Sequence, residues 1–134
     1  MNITGERLRL YAVTDQAWAV DQGSLFRQIE EAIDGGASIV QLREKRLDEA
    51  AFLAEAEQFT ALCLRKGVVS IINDRVDIAL KSGADGVHVG QKDLEAGFAR
   101  DLLGPDKILG VSAHSVEEAL RAQAAGADYL GVGA

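Results

Sequence analysis

Residues 82–90 read "SGADGVHVG", and the parity of this short run decides between two folds. Gly83 stops a helical segment, and β-forming residues begin three positions later. Side chains alternate along a strand, so Val87 and Val89 point one way while Gly86, His88 and Gly90 point the other. One face is apolar and the other is small or polar. A central strand of an open parallel sheet is apolar on both faces, because helices cover both. Helices on one side and a narrow interior on the other describe a barrel strand.

The same parity recurs downstream. In "ILGVSAH" (108–114), Leu109 and Val111 oppose Gly110, Ser112 and His114. In "YLGVGA" (129–134), Leu130 and Val132 oppose Gly131 and Gly133. Three more β-rich runs precede them: "LRLYAVTD" (8–15), "SIVQLRE" (38–44) and "VVSIIND" (68–74). Helical segments lie between. Ser24 is expected to start the first, "LFRQIEEAID", and Asp48 the second; Ser115 and Glu118 have capping-box spacing ahead of "ALRAQAAGA". "GGAS" (35–38), "SGAD" (82–85) and "AGAD" (125–128) each end a helix with a glycine suited to a left-handed C-cap.

Strict alternation of strand and helix predicts parallel strands joined by right-handed crossovers. The expected fold is α/β, a parallel (βα) barrel of TIM type. Six strands are predicted in 134 residues, whereas eight need at least about 200. The expectation is therefore one domain over 1–134, a C-terminally incomplete barrel with about six of eight strands, and an open sheet is the alternative. Bare edges on the first and sixth strands would invite self-association.

A net charge of −7 excludes general binding to nucleic acid or to an anionic membrane. Any anion site must be local. The lone cysteine, Cys63, excludes an internal disulfide and reads as a small buried hydrophobe. No apolar run approaches the roughly 18 residues that cross a bilayer, and the N-terminus has no signal-type hydrophobic region, so a cytoplasmic protein is expected.

Ligands in such folds bind at the C-terminal ends of the strands. Asp15, Gln41, Arg43, Glu44, Lys45, Asn73, Asp74, Gln91, Asp93, Ser112 and His114 all fall there. Asp74 and Asp93 follow consecutive strands and can converge on one hard cation, which magnesium completes with water and phosphate oxygens. Arg43 offers a planar fork for phosphate, Lys45 a point charge, and Asn73 and Ser112 hydrogen bonds. Together they describe a magnesium–diphosphate site. Each has a plainer reading: either aspartate could cap a helix, "REKR" (43–46) could be a solvated strand end, and His88 could fill the interior.

The runs "LYAVTD", "GGASIVQLREK", "INDRVDIAL", "GADGVHVGQKDL", "GVSAHS" and "GADYLGVGA" resemble the thiamine phosphate synthase family along nearly the whole chain. That resemblance implies a transferase of thiamine biosynthesis, which joins hydroxymethylpyrimidine diphosphate to thiazole phosphate and releases diphosphate. It implies that Gln41, Leu42, Arg43, Glu44, Lys45 and Asn73 hold the pyrimidine diphosphate and that Ser112 binds the pyrimidine. Asp74 and Asp93 would bind Mg2+, and Arg43, Lys45 and Ser112 would carry the chemistry. The family's thiazole-binding strands would lie beyond Ala134, so this chain is expected to hold the metal and diphosphate half of the site. Two rivals are a thiazole tautomerase-like isomerase, with His114 as its base, and a non-catalytic diphosphate-binding fragment. "NDR" and "GQKDL" favour the synthase, because the tautomerases tend to lose the metal carboxylates.

Overall fold

The structure, a computed structural model, describes residues 2–91 and 94–133. Among them, six strands alternate with five helices: β1 (Tyr11–Val13), α1 (Gln22–Asp34), β2 (Ile39–Leu42), α2 (Glu49–Lys66), β3 (Val69–Asn73), α3 (Val76–Ser82), β4 (Gly86–Val89), α4 (Leu94–Leu103), β5 (Ile108–Ala113), α5 (Val116–Ala124) and β6 (Tyr129–Val132). A short 3-10 turn, Gln16–Trp18, lies between β1 and α1.

The strands pair in parallel and in sequence order, β1 through β6. That order has no reversal, so the doubly wound open sheet is excluded, since its order must reverse at a switch point. The sheet is strongly curled. Five gaps of about 4.8 Å would put the outer strands of a flat sheet about 24 Å apart, yet the rings of Tyr11 on β1 and Tyr129 on β6 lie with centroids 5.6 Å apart. The described residues form a six-stranded half-barrel; they do not form the closed eight-stranded barrel.

The helix-side core follows the predicted parity. Val40, Leu42, Ile72, Val87, Val89, Leu109 and Val111 pack against helix residues such as Leu25, Ile29, Phe52, Phe59 and Cys63. Phe52, Ala56, Phe59 and Cys63 recur at helical spacing along α2, which gives that helix one buried stripe. Phe59 is fully buried, and truncating it to alanine would cost about 3–5 kcal/mol. Leu130 and Val132 share the parity but remain 39% and 75% exposed, because no helix among the described residues covers them. A second cluster, Ile3, Ile39, Val69, Ile71, Ile108 and Tyr129, fills the interior below the site.

The helix ends explain the connections. Asp48 caps α2, accepting the Ala51 N–H at 2.8 Å, and Ser115 caps α5, accepting the Glu118 N–H at 3.1 Å. The first helix begins earlier than its apolar run: Asp21, not Ser24, is the cap, and its carboxylate accepts the Ser24 N–H at 2.7 Å. All three motif glycines, Gly36, Gly83 and Gly126, take positive φ. Cys63 is buried, and burial, with the charge of Asp85, pushes its thiol up to about 12, so it acts as a hydrophobe.

Candidate functional site

The interior-facing residues at the strand tips join into one hydrogen-bonded chain. Asn73 Nδ2 donates to Gln41 Oε1 at 2.8 Å, and Gln41 Nε2 donates to the Tyr11 hydroxyl at 3.0 Å. The Tyr11 and Tyr129 hydroxyls share a hydrogen bond. Tyr129 in turn meets His88 Nδ1 at 3.0 Å, and His88 Nε2 meets Ser112 Oγ at 2.8 Å. The chain takes one residue from each of the six strands. Tyr11 and Tyr129, which close it, are the residues that sequence reasoning missed.

Register explains how it crosses the sheet. Asn73, His88, Gly110 and Tyr129 are successive neighbours on β3 to β6. Gly110 has no side chain, so Tyr129 can lie over β5 and reach His88. A Cβ on Gly110 would stand 2.1 Å from the Tyr129 ring, and one on Gly131 would stand 2.9 Å from His88 Cε1.

The chain is electrically neutral. Burial pushes the His88 imidazole below the ordinary histidine value, against the opposing pull of the Asp74 charge. Burial also raises both tyrosines. Gln41 donates to Tyr11, and the remaining contacts, Tyr11–Tyr129, Tyr129–His88 and His88–Ser112, can each run in either direction, set by the hydroxyl rotors and the His88 tautomer. At the other end the buried Asn73 Oδ1 accepts no hydrogen bond among the described residues. Tyr11, Gln41, His88, Ser112, His114 and Tyr129 line a cleft of about 480 Å³. A larger one, about 600 Å³, lies at the other end of the strands, around Arg7, Cys63 and Asp85, away from this chemistry.

Charge is confined to the rim. Arg43 follows β2, exposed, its backbone N–H fixed by Thr14 Oγ1 at 2.9 Å, and its side chain makes no ion pair among the described residues. Lys45 Nζ contacts Asp74 Oδ2 at 2.5 Å, with both side chains about half exposed (47% and 48%). Such an exposed pair is worth at most about 1 kcal/mol, so a ligand can take up either partner. Asp74 does not cap α3; Arg75 occupies that position without a side-chain cap. Instead Asp74 stands in the left-handed region, φ 66, which non-glycine residues rarely adopt. Leu42 turns its side chain into the helix-side core, so only its backbone could meet a ligand. Glu44 is engaged internally, accepting from Gln16 Nε2 and from the Arg46 and Leu47 N–H groups. Gln91 Nε2 is bound to the Ser112 carbonyl at 2.8 Å.

Asp93 lies outside the described residues. Among the described residues no group of three or more His, Cys, Asp or Glu side chains could enclose a metal. Magnesium does not need such a cage. It uses one or two carboxylates and completes its shell with water and phosphate, and the half-exposed Asp74 carboxylate suits that role.

Residues 10–134 match the family model described as thiamine monophosphate synthase. A thiamine-phosphate synthase of Clostridium acetobutylicum is 52% identical over 126 residues, covering 94% of this chain and 59% of its own. A chloroplastic thiamine biosynthetic bifunctional enzyme of Arabidopsis thaliana is 49% identical over 130 residues, 94% of this chain and 24% of its own. Among solved structures, a thiamine phosphate pyrophosphorylase from Pyrococcus furiosus superposes with a TM-score of 0.86 at 34% identity, covering 96% of this chain and 61% of its own. This chain thus spans about three-fifths of its single-function relatives. Among the described residues, no helix is long and apolar enough to cross a membrane.

Proposed function

This chain belongs to the thiamine monophosphate synthase family, and from that premise we propose that it binds hydroxymethylpyrimidine diphosphate for transfer to thiazole phosphate. One observation carries the reading: a neutral hydrogen-bond chain floors the cleft while exposed charges occupy its rim. A ligand that fits both has a flat, uncharged, polar ring and an anionic tail. An aminopyrimidine offers a ring-nitrogen acceptor and an exocyclic amine donor. With the donors taken from Gln41 through Tyr11, Tyr129 and His88 Nε2 to Ser112, the Ser112 hydroxyl proton is left to meet the ring nitrogen.

The diphosphate would sit at the rim. Arg43 and Lys45 would hold its oxygens with charge-assisted hydrogen bonds. As the bond to diphosphate lengthens, negative charge gathers on the departing oxygens, and these cations stabilise it in place. Asp74, together with Asp93, would hold a magnesium ion, whose charge would further neutralise the leaving group when bound. The floor has a separate duty. Gln41, Asn73 and Ser112 orient the ring so that its methylene carbon faces the incoming thiazole nitrogen. Because His88 is neutral and both phenols are protonated, no floor charge competes with the cationic character that develops on the pyrimidine.

Substitutions divide the two halves of this site. Ser112→Ala and Gln41→Leu should weaken binding of the pyrimidine diphosphate and leave inorganic diphosphate unaffected. Arg43→Gln should weaken both, by about tenfold or more, from the loss of a charge-assisted contact worth about 1.5–3 kcal/mol. Equal weakening of both ligands by the floor substitutions would contradict the division.

A further inference from the structure

The loop that carries Arg43 and Lys45 is anchored from behind by a pair of carboxyl groups. Glu44, in the loop after β2, lines the cleft between α1 and α2. Its Oε1 accepts the Arg46 N–H at 2.7 Å and the Leu47 N–H at 3.2 Å, and it also takes Gln16 Nε2. Glu55 on α2 faces it. Glu55 is only 3% exposed, and its Oε1 has no partner among the described residues. Both acids line a cleft of about 410 Å³ between α1, α2 and the loop.

The surroundings of this pair offer little positive charge. Asp21 and Gln22 face the cleft from the start of α1, Gln16 from the 3-10 turn, Glu44 and Arg46 from the loop, and Gln58 from α2. Arg46 is the one cation among these lining residues, and its backbone N–H is what Glu44 holds. A buried carboxylate beside the half-buried carboxylate of Glu44 would be repelled by it as well as stripped of water, so one of the two keeps its proton. Burial, and then the Glu44 charge, push Glu55 up to about 7, with Gln22 acting in the opposite direction.

We propose that Glu55 is a positioning residue: as a neutral acid it donates its proton in a hydrogen bond to Glu44, and so fixes the loop that presents Arg43 and Lys45. Loss of that proton sets two carboxylates against each other and loosens the anchor. The link to ligand affinity rests on the reading of Arg43 and Lys45 as the diphosphate grip, whereas the anchor itself does not.

The test follows the backbone amides of Arg46 and Leu47 by NMR from pH 5.5 to 8.5, in the wild-type chain and in Glu55→Gln. The affinity for inorganic diphosphate with magnesium is measured alongside. Wild type should show both amides shifting together with a midpoint near 7, and Glu55→Gln should abolish that step. The wild-type Kd divided by the Glu55→Gln Kd should rise several-fold between pH 6 and 8, a ratio in which the titration of diphosphate itself cancels. A wild-type chain without the amide step, or a variant that keeps it, overturns the proposal. An amide step present in wild type and absent in the variant supports the anchor even where neither protein binds diphosphate; that result would refute the anion grip alone.

Discussion

The Tyr129 hydroxyl meets His88 Nδ1 at 3.0 Å across β5, where Gly110 leaves the space between them empty. A glycine in mid-strand normally weakens a sheet, because it packs nothing and loses more entropy on folding. Here the missing side chain lets residues on non-adjacent strands bond. The same tyrosine reaches Tyr11 on the opposite edge, so one phenol links β4 and β1, and the curl of the sheet is recorded in that contact.

Gly110→Ala should therefore be far worse than a mid-strand glycine replacement usually is. The new Cβ would enter the Tyr129 ring at 2.1 Å, and overpacking of this kind costs about 1–3 kcal/mol before the lost hydrogen bonds are added. Urea denaturation should report a loss of at least that size. A stability unchanged within about 0.5 kcal/mol would mean that Tyr129 does not occupy this position.

His88 should be neutral with its proton on Nε2, a tautomer that nitrogen-detected NMR reads directly. Its pKa should lie below the ordinary value because the ring is buried. The folded state then binds fewer protons than the unfolded chain just below pH 6.5, so the histidine's contribution to stability is intact above that pH and is lost on acidification through the folded pKa. A His88 titrating above 6.5, or protonated on Nδ1, would contradict the direction assigned to the chain.

At the other end of the strands, Asp128 holds the structure together electrostatically. Its Oδ2 accepts from Arg100 Nη2 at 2.7 Å and from the Leu109 N–H at 2.9 Å, and its Oδ1 accepts from the Asn2 N–H at 2.9 Å. Burial acts to raise this carboxyl, but the Leu109 and Asn2 N–H groups and the Arg100 guanidinium outweigh it and hold it below the usual range. Its contribution is thus present above the unfolded pKa and is lost as the pH falls through the lowered one. Asp128→Ala leaves the Arg100 charge short of its partner and should cost about 3–5 kcal/mol. A loss under about 1 kcal/mol, measured by denaturation at pH 7, would refute that role.

Local order was well exposed in the sequence, because it depends on spacing. Parity separated the helix-facing valines of β4 and β5 from His88 and Ser112, and Asp48 and Ser115 marked their helices. Asp21 was obscured by the apolar run that begins only at Leu25. Long-range order was the harder part. Tyr11 and Tyr129 look like ordinary β-formers until the curl brings the edge strands together, although Tyr129 shares the interior parity of Gly131. Glu55 left a clearer trace: it interrupts the apolar stripe between Phe52 and Phe59 on α2, where a charged residue needs a reason. Asp74 was offered as either a cap or a metal ligand. Its left-handed backbone and its contact with Lys45 remove the first of these readings.

The central claim, that a neutral floor adjoins a rim built for magnesium and diphosphate, is tested most directly by calorimetric titration of inorganic diphosphate with and without magnesium. Wild type and Asp74→Asn are compared at pH 7. The account predicts binding that requires magnesium in wild type and is lost or reduced by at least tenfold in Asp74→Asn, while both chains melt cooperatively. Binding that is indifferent to magnesium and to the aspartate, or no binding by a folded wild-type chain, would contradict it.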